Sequence, residues 1–214
     1  MTHHASLTRR SLALAAALSG ALVLAACGGG GGEAGTPVLP ATPPVEMSIT
    51  HRVTLTTSKG VIELGLDANH APITVANFLK YANDGFYANT LFHRVVKGFV
   101  IQGGGVVRNS SGALVDKTAT YAPIQLETNK GLSNLRGTLA MARATLANTA
   151  TSQFYINTVD NKFLDWPGQD NTGGYAVFGK VLSGLDVVDA IAAVGVDANG
   201  LPLADVLILS VRVQ

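Results

Sequence analysis

The segment from Phe92 to Gly104 contains a residue that could take part in catalysis. Its sequence is FHRVVKGFVIQGG, so Arg94 stands within a largely apolar run. Arginine stays charged and presents several N–H donors in a rigid fork, whereas lysine is a mobile point charge. Arg94 could therefore stabilise a strained polar group through fixed hydrogen bonds. The alternative for an isolated arginine in a strand is a solvated surface charge.

Histidine and cysteine are the other reactive residue types. His93 adjoins Arg94 and could be read as a general base, but a structural role is favoured. His51 and His70 have no cysteine or histidine neighbour at ligand spacing, and Cys27 is the single cysteine. We therefore predict no metal and no intramolecular disulfide.

Five motifs occur together in a recognisable order. After residues 92–104 come GTLAMAR at 137–143, SQFYIN at 152–157 and VFGKV at 177–181, and TVANF at 74–78 precedes them. The set closely resembles the cyclophilins over residues 51–213, and the Ala142-Arg143 pair resembles the bacterial periplasmic branch. The resemblance implies a peptidyl-prolyl cis-trans isomerase, expected to be monomeric, that acts on proline-containing polypeptides.

This reaction needs a catalyst that weakens amide resonance. Rotation about the peptide bond has a barrier of about 18–20 kcal/mol. Because no covalent bond is made or broken, we predict no cofactor. A fixed cation can donate to the lone pair that localises on the prolyl nitrogen when the amide twists, and so bind the twisted state better than either planar state. The resemblance assigns this catalytic role to Arg94.

The resemblance also implies which residues bind substrate. They are Phe99, Val100, Gln102, Ala142, Arg143, Gln153, Tyr155, Phe163, Leu164 and Tyr175. Phe99, Val100, Tyr155 and Leu164 would grip proline, although spacing alone favours the core for each of them. Gln102 would hold Arg94 or the substrate backbone. Strand alternation places Gln153 and Tyr155 on one face and sends Phe154 into the barrel.

Four positions depart from the well-known eukaryotic cyclophilins. Phe163 stands where they carry a tryptophan, which predicts weak cyclosporin binding. Tyr155 replaces a phenylalanine and adds a hydroxyl that needs a partner when buried. Tyr175 replaces a histidine, and Arg143 replaces an asparagine, which predicts a more basic groove.

Short alternating strands and two helices must position these residues. Residues 53–57 and 62–66 predict a hairpin, and further strands are expected at 92–102, 138–142, 153–157, 176–181 and 206–213. Helices are predicted at 69–82 and 185–193, and residues 103–132 form a long loop. This pattern favours a mainly β protein, and the resemblance implies a closed eight-stranded antiparallel barrel capped by two α-helices.

The N-terminus predicts export. Arg9 and Arg10 precede an uncharged stretch of about 15 residues, which is shorter than the roughly 20 that span a bilayer. The stretch ends in Leu24-Ala25-Ala26-Cys27, which resembles a bacterial lipobox with Cys27 as the lipidated residue. A plain secretory signal is the alternative. The general export route is favoured over the twin-arginine route.

Three parts follow from this division. Residues 1–26 are predicted to be a signal peptide, 27–48 a lipidated cysteine with a Gly/Pro-rich linker, and 49–214 the isomerase domain. Membrane contact would be through the lipid anchor alone. Gly28 lacks the aspartate that resembles an inner-membrane retention signal, which favours a periplasm-facing lipoprotein of the outer membrane.

The balance of charged residues excludes one further class of function. Basic residues number 15 and acidic residues 14, with no basic run beyond Arg9-Arg10, so nucleic-acid binding is not expected. Three hypotheses stay open: an isomerase for exported chains, a proline-peptide receptor or holdase with little turnover, and a structural envelope lipoprotein. The intact Arg94 favours the first.

Overall fold

The computed structural model describes residues 45–214, so the predicted signal peptide, Cys27 and the linker up to residue 44 lie outside the described residues. The strands are β1 (His51–Thr57), β2 (Gly60–Leu66), β3 (Thr90–Val96), β4 (Val100–Gly103), β5 (Val106–Arg108), β6 (Leu114–Asp116), β7 (Thr138–Met141), β8 (Phe154–Asn157), β9 (Val177–Ser183) and β10 (Leu207–Val213). The helices are α1 (Pro72–Asn83) and α2 (Leu185–Ala192), with 3-10 turns at Lys162–Leu164 and Gln169–Asn171. None of these described helices has the length and apolar character needed to cross a membrane.

A closed barrel carries the fold. Its strands follow the order β1-β10-β3-β4-β8-β7-β9-β2, and every neighbouring pair is antiparallel. Closure leaves no unpaired strand edge in the barrel. The predicted mainly β architecture, with eight barrel strands and two α-helices, is confirmed.

The barrel interior follows from strand alternation. Val53 and Leu55 of β1 face inward with Ile62 and Leu64 of β2, and all four are fully buried. Phe154 is fully buried in the same core, as alternation predicted. Phe78 of α1 packs on it, with ring centroids 5.5 Å apart and planes at 85°. This arrangement leaves the other face of β8 free to build a site.

The predicted strand at 92–102 is wrong as a single element. The chain turns at Lys97–Phe99, where Gly98 has a φ of 68°, a conformation that glycine adopts without steric penalty. The resulting β3–β4 hairpin places Arg94 opposite Gln102. The apolar pattern missed the turn because apolar residues lie on both sides of Lys97 and Gly98. The predicted loop at 103–132 likewise contains a second hairpin, β5–β6.

Helix α1 begins at Pro72, three residues after the predicted start at Asn69. The reason is a turn in which the carboxylate of Asp67 accepts the N–H groups of Asn69 and His70 at 3.0 and 3.1 Å. The first helical N–H groups lack intrahelical partners. The carboxylate of Glu127 accepts two of them and thereby pins the long loop to the helix.

Candidate active site

A cavity of about 160 Å³ opens on the outer face of the sheet, beside the β3–β4 hairpin. Its walls are Arg94, Phe99, Val100, Gln102, Ala142, Arg143, Tyr155, Leu164 and Tyr175. Every one of these was a predicted site residue. The barrel brings them together from distant parts of the sequence, because β4 pairs with β8 and β8 with β7.

The floor of the cavity is apolar. Val100, Ala140, Tyr155 and Val177 form a buried cluster that is separate from the barrel core. They lie on four different strands, so neighbouring strands supply the outward-facing residues of one patch. Leu164 packs against this cluster. The patch offers a surface that would bind a small apolar ring.

A line of amide side chains continues from Arg94. Its Nη1 lies 3.5 Å from Oε1 of Gln102, to which it donates, and Nε2 of Gln102 donates to Oε1 of Gln153 at 3.0 Å. The guanidinium carbon also lies 5.8 Å from the ring centroid of Phe99. Gly105 makes room for this line, because a Cβ built there would lie 2.3 Å from Cγ of Gln153.

The two other predicted residues flank the cavity. Phe163 is 53% exposed and stacks on Phe99, with ring centroids 5.7 Å apart and planes at 18°. Gln153 lines an adjoining depression of about 270 Å³ that also includes Gln102 and Arg143. Phe163 thus extends the apolar rim, and Gln153 extends the polar side.

The hydroxyl of Tyr155 has a partner that the sequence did not reveal. It donates to Oδ1 of Asn134 at 2.7 Å, and the side-chain amide of Asn134 donates to Asp165 at 2.8 Å. Burial, the main cause, together with the nearby Tyr175 and Asp165, raises the pKa of Tyr155 well above its ordinary value. Tyr155 is therefore a neutral wall with its polar end satisfied beneath the cavity.

Arg143 is tied to the backbone of two loops. Its guanidinium donates to the carbonyls of Gly174 and Thr172, both at 2.9 Å, and to those of Ala144 and Thr145. It also lies over the ring of Tyr175, 4.5 Å from the centroid. The prediction of a more basic groove did not take account of these hydrogen bonds. The same side chain connects the two loops at the cavity edge.

His93 lies apart from the apolar floor. It borders a different groove that Arg94 also lines, and its Nδ1 is the single buried side-chain polar atom without a hydrogen-bond partner among residues 45–214. Burial is the main cause that lowers the pKa of His93, and the charge of Arg94 adds to it, against the opposing effects of the Leu91 carbonyl and Asp116. A neutral, half-buried ring agrees with a structural role. Within residues 45–214, no cluster of three histidine, cysteine or carboxylate side chains could hold a metal.

Sequence reasoning missed the residues that support the site from behind. Asn134 is fully buried, yet it stands in a polar stretch that reads as loop. Asp165 and Gly105 likewise carry no local signal. The side-chain partners of Asp165 lie at least 31 residues away, and Gln153, the neighbour of Gly105, lies just before the distant strand β8. Their prediction would have required knowledge of which distant segments of the chain lie next to each other.

Comparison with known proteins identifies the family. The model of the cyclophilin type peptidyl-prolyl cis-trans isomerases matches residues 52–213. Peptidyl-prolyl cis-trans isomerase B of Escherichia coli is 48% identical over 167 residues, which covers 76% of this chain and 99% of that protein. Peptidyl-prolyl cis-trans isomerase A of Dickeya dadantii is 50% identical over 151 residues, covering 71% and 75%.

Solved structures agree. A crystal structure of a cyclophilin type isomerase from Cryptosporidium parvum, obtained in the presence of the dipeptide Ala-Pro, has a TM-score of 0.65 and 28% identity. It covers 76% of this chain and 98% of its own. Two isomerases are thus about half identical to this chain in sequence, and the solved structure of a third resembles its fold. The chain belongs to the cyclophilin-type peptidyl-prolyl cis-trans isomerase family.

Proposed function

We propose that this isomerase acts on Xaa-Pro bonds of exported polypeptides, with Arg94 as its catalytic residue and the cavity beside it as its proline pocket. Proline would lie on Val100 and Tyr155, with Phe99 and Leu164 at its sides. The guanidinium would donate to the prolyl nitrogen as the amide twists. A reduction of the barrier by about 7 kcal/mol corresponds to about five powers of ten in rate.

One observation carries this proposal. A charged side chain with fixed donors borders an apolar cavity of about 160 Å³. Gln102 and the ring of Phe99 restrain the guanidinium. A donor that is oriented beforehand stabilises developing charge without reorganising during the reaction. The Ala-Pro dipeptide used with the Cryptosporidium parvum relative supports a proline ligand.

No proton transfer is needed in this mechanism. The substrate and product differ only in rotation about one bond. His93 would therefore hold β3 in place and take no chemical part. The proposed rate enhancement depends on the geometry of Arg94 and on the fit of the proline ring.

The test compares Arg94→Ala with the parent in an NMR exchange assay on an Ala-Pro peptide. Loss of a preorganised donor is expected to lower kcat/KM by about 100-fold. Lys97→Ala removes an exposed charge from the adjoining turn and should have little effect. An Arg94→Ala enzyme as active as the parent would remove Arg94 from the mechanism. A parent that binds the peptide without turnover would favour the receptor hypothesis.

Export and anchoring rest on the sequence of residues 1–48. The cellular site would be the periplasmic face of the outer membrane, with lipid on Cys27 and the linker holding the domain away from the surface. Radiolabelled palmitate should enter the parent chain and not Cys27→Ser. A density gradient should then place the labelled chain with outer-membrane markers. Label in neither chain would leave a plain secretory signal.

A further inference from the structure

A second groove of about 370 Å³ shares Arg94 with the proline pocket and none of the other residues that line that pocket. We call it the side groove. Its base includes His93 and Arg94 of β3, one wall carries Val106 and Leu114 of the β5–β6 hairpin, and Leu201 stands in the other wall. No role predicted from the sequence for a site residue involves binding in the side groove.

Both walls of the side groove are held in place. Arg108 of β5 forms a bidentate pair with Asp205, through hydrogen bonds of 2.5 and 2.7 Å, which ties the hairpin to the segment before β10. The turn that carries Leu201 is held because the N–H of Val95 donates to the carbonyl of Gly200 at 2.7 Å. The side groove is therefore built before any ligand arrives.

The chemistry of the walls favours an apolar side chain. Val106 pairs with Asp116 and Arg108 with Leu114 across the hairpin, so these side chains share one face. Leu114 and Leu201 are both partly exposed, which leaves apolar surface for a ligand to cover. Asp116 at the rim would repel an acidic side chain.

Continuity with the proline pocket identifies the occupant. Arg94 lines both cavities, so a chain with its proline in the pocket can extend past the guanidinium into the side groove. Each extended residue advances about 3.3 Å. We propose that the side groove is a subsite for an apolar side chain of the same polypeptide, a few residues from proline. This inference rests on the proposed function of the proline pocket.

A leucine scan tests the subsite. A nine-residue alanine peptide with one central proline is the reference, and leucine replaces each alanine in turn. We expect kcat/KM to rise about fivefold at one or two positions, all on one side of proline. No rise at any position, or the same rise at all of them, would overturn the inference. Absence of turnover on the reference peptide would instead defeat the proposed function.

Matched variants connect the effect to the side groove. Leu114→Ser should remove the leucine preference and leave turnover of the alanine peptide unchanged. Val107→Ser makes the same chemical change on the other face of the hairpin and should preserve the preference. Leu201→Ser repeats the test from the opposite wall if the first variant is unfolded by circular dichroism. Equal losses on both peptides, or no loss on either, would contradict the subsite.

Discussion

The hydroxyl of Tyr155 donates a 2.7 Å hydrogen bond to Oδ1 of Asn134 beneath the cavity. Tyr155→Phe removes this donor and leaves Oδ1 with only the longer, 3.3 Å contact to Asn157. We expect the free energy of unfolding to fall by about 1 kcal/mol, because a buried acceptor loses a partner. The ring that faces the cavity remains, so kcat/KM should stay within about threefold. Urea unfolding and peptide exchange measure the two quantities, and an undiminished midpoint would contradict the first.

Gly105 is expected to support catalysis without touching substrate. A methyl group there would displace Gln153, whose Oε1 accepts the hydrogen bond from Gln102. Since Gln102 accepts from Arg94, Gly105→Ala should misplace the guanidinium and lower kcat by about tenfold, with KM nearly unchanged.

A double-mutant cycle checks the route of this effect. Gln153→Ala removes the side chain that the new methyl would meet. Gly105→Ala should then cost almost nothing further in kcat. Independent losses that simply multiply would show that Gly105 acts by another path.

The fold was largely predictable because period-two alternation repeats in several segments. Val53 and Leu55 show it, and the two helices show helical spacing with boundaries that shift by at most three residues. The β3–β4 turn was not predictable from apolar pattern alone, since Phe99 and Val100 continue the hydrophobic run through it. Gly98 was the available signal.

The residues that line the site were predictable from the sequence, but their supporting contacts were not. The order of the motifs identified Arg94 and Leu164 as site residues. Without it, Arg94 would be assigned to the surface and Leu164 to the core. Asn134 and the backbone clamp of Arg143 escaped because each depends on contacts between segments far apart in the chain. The partners of Arg143 include Thr172, 29 residues away, and the loop that places this carbonyl has no periodic pattern.

Arg143 is expected to act through the loops that it connects. Arg143→Lys retains the charge but cannot reach four carbonyls with one ammonium group. The substitution should raise KM by about fivefold and lower the free energy of unfolding by about 1 kcal/mol, with little change in kcat. Steady-state kinetics on an Ala-Pro peptide measure KM. Full retention of KM by the lysine variant would instead indicate a role of charge alone.

The environment of Asp67 is expected to make the protein less stable in acid. Burial, the largest influence, would raise its pKa, but hydrogen bonds from His70 and from the N–H of Ser48 outweigh it and hold the pKa below 3.8. A lowered pKa stabilises the fold above about pH 4, and this contribution is lost as pH falls through the folded-state pKa. Asp67→Asn should cost about 2 kcal/mol at pH 7 and flatten the dependence below pH 4.

Unfolding curves between pH 2 and 7 test this expectation. Glu46→Gln offers a control, because Glu46 is an exposed carboxylate on the same N-terminal segment. Its curve should follow that of the parent. A parallel pH dependence in Asp67→Asn and the parent would assign acid sensitivity to other groups.

Phe163 is expected to limit cyclosporin binding. It is 53% exposed on the rim and stacks on Phe99, at the position where the resemblance to eukaryotic cyclophilins implies an indole N–H. Because phenylalanine has no donor, the parent should bind cyclosporin with a dissociation constant above about 1 μM. Phe163→Trp should tighten binding about tenfold, since the exposed rim has room for the larger ring and one added hydrogen bond contributes about 1 kcal/mol. Calorimetric titration measures both constants, with Phe163→Leu as a control that adds no donor. A submicromolar parent, or equal affinities for the tryptophan and leucine variants, would show that another part of the rim determines inhibitor binding.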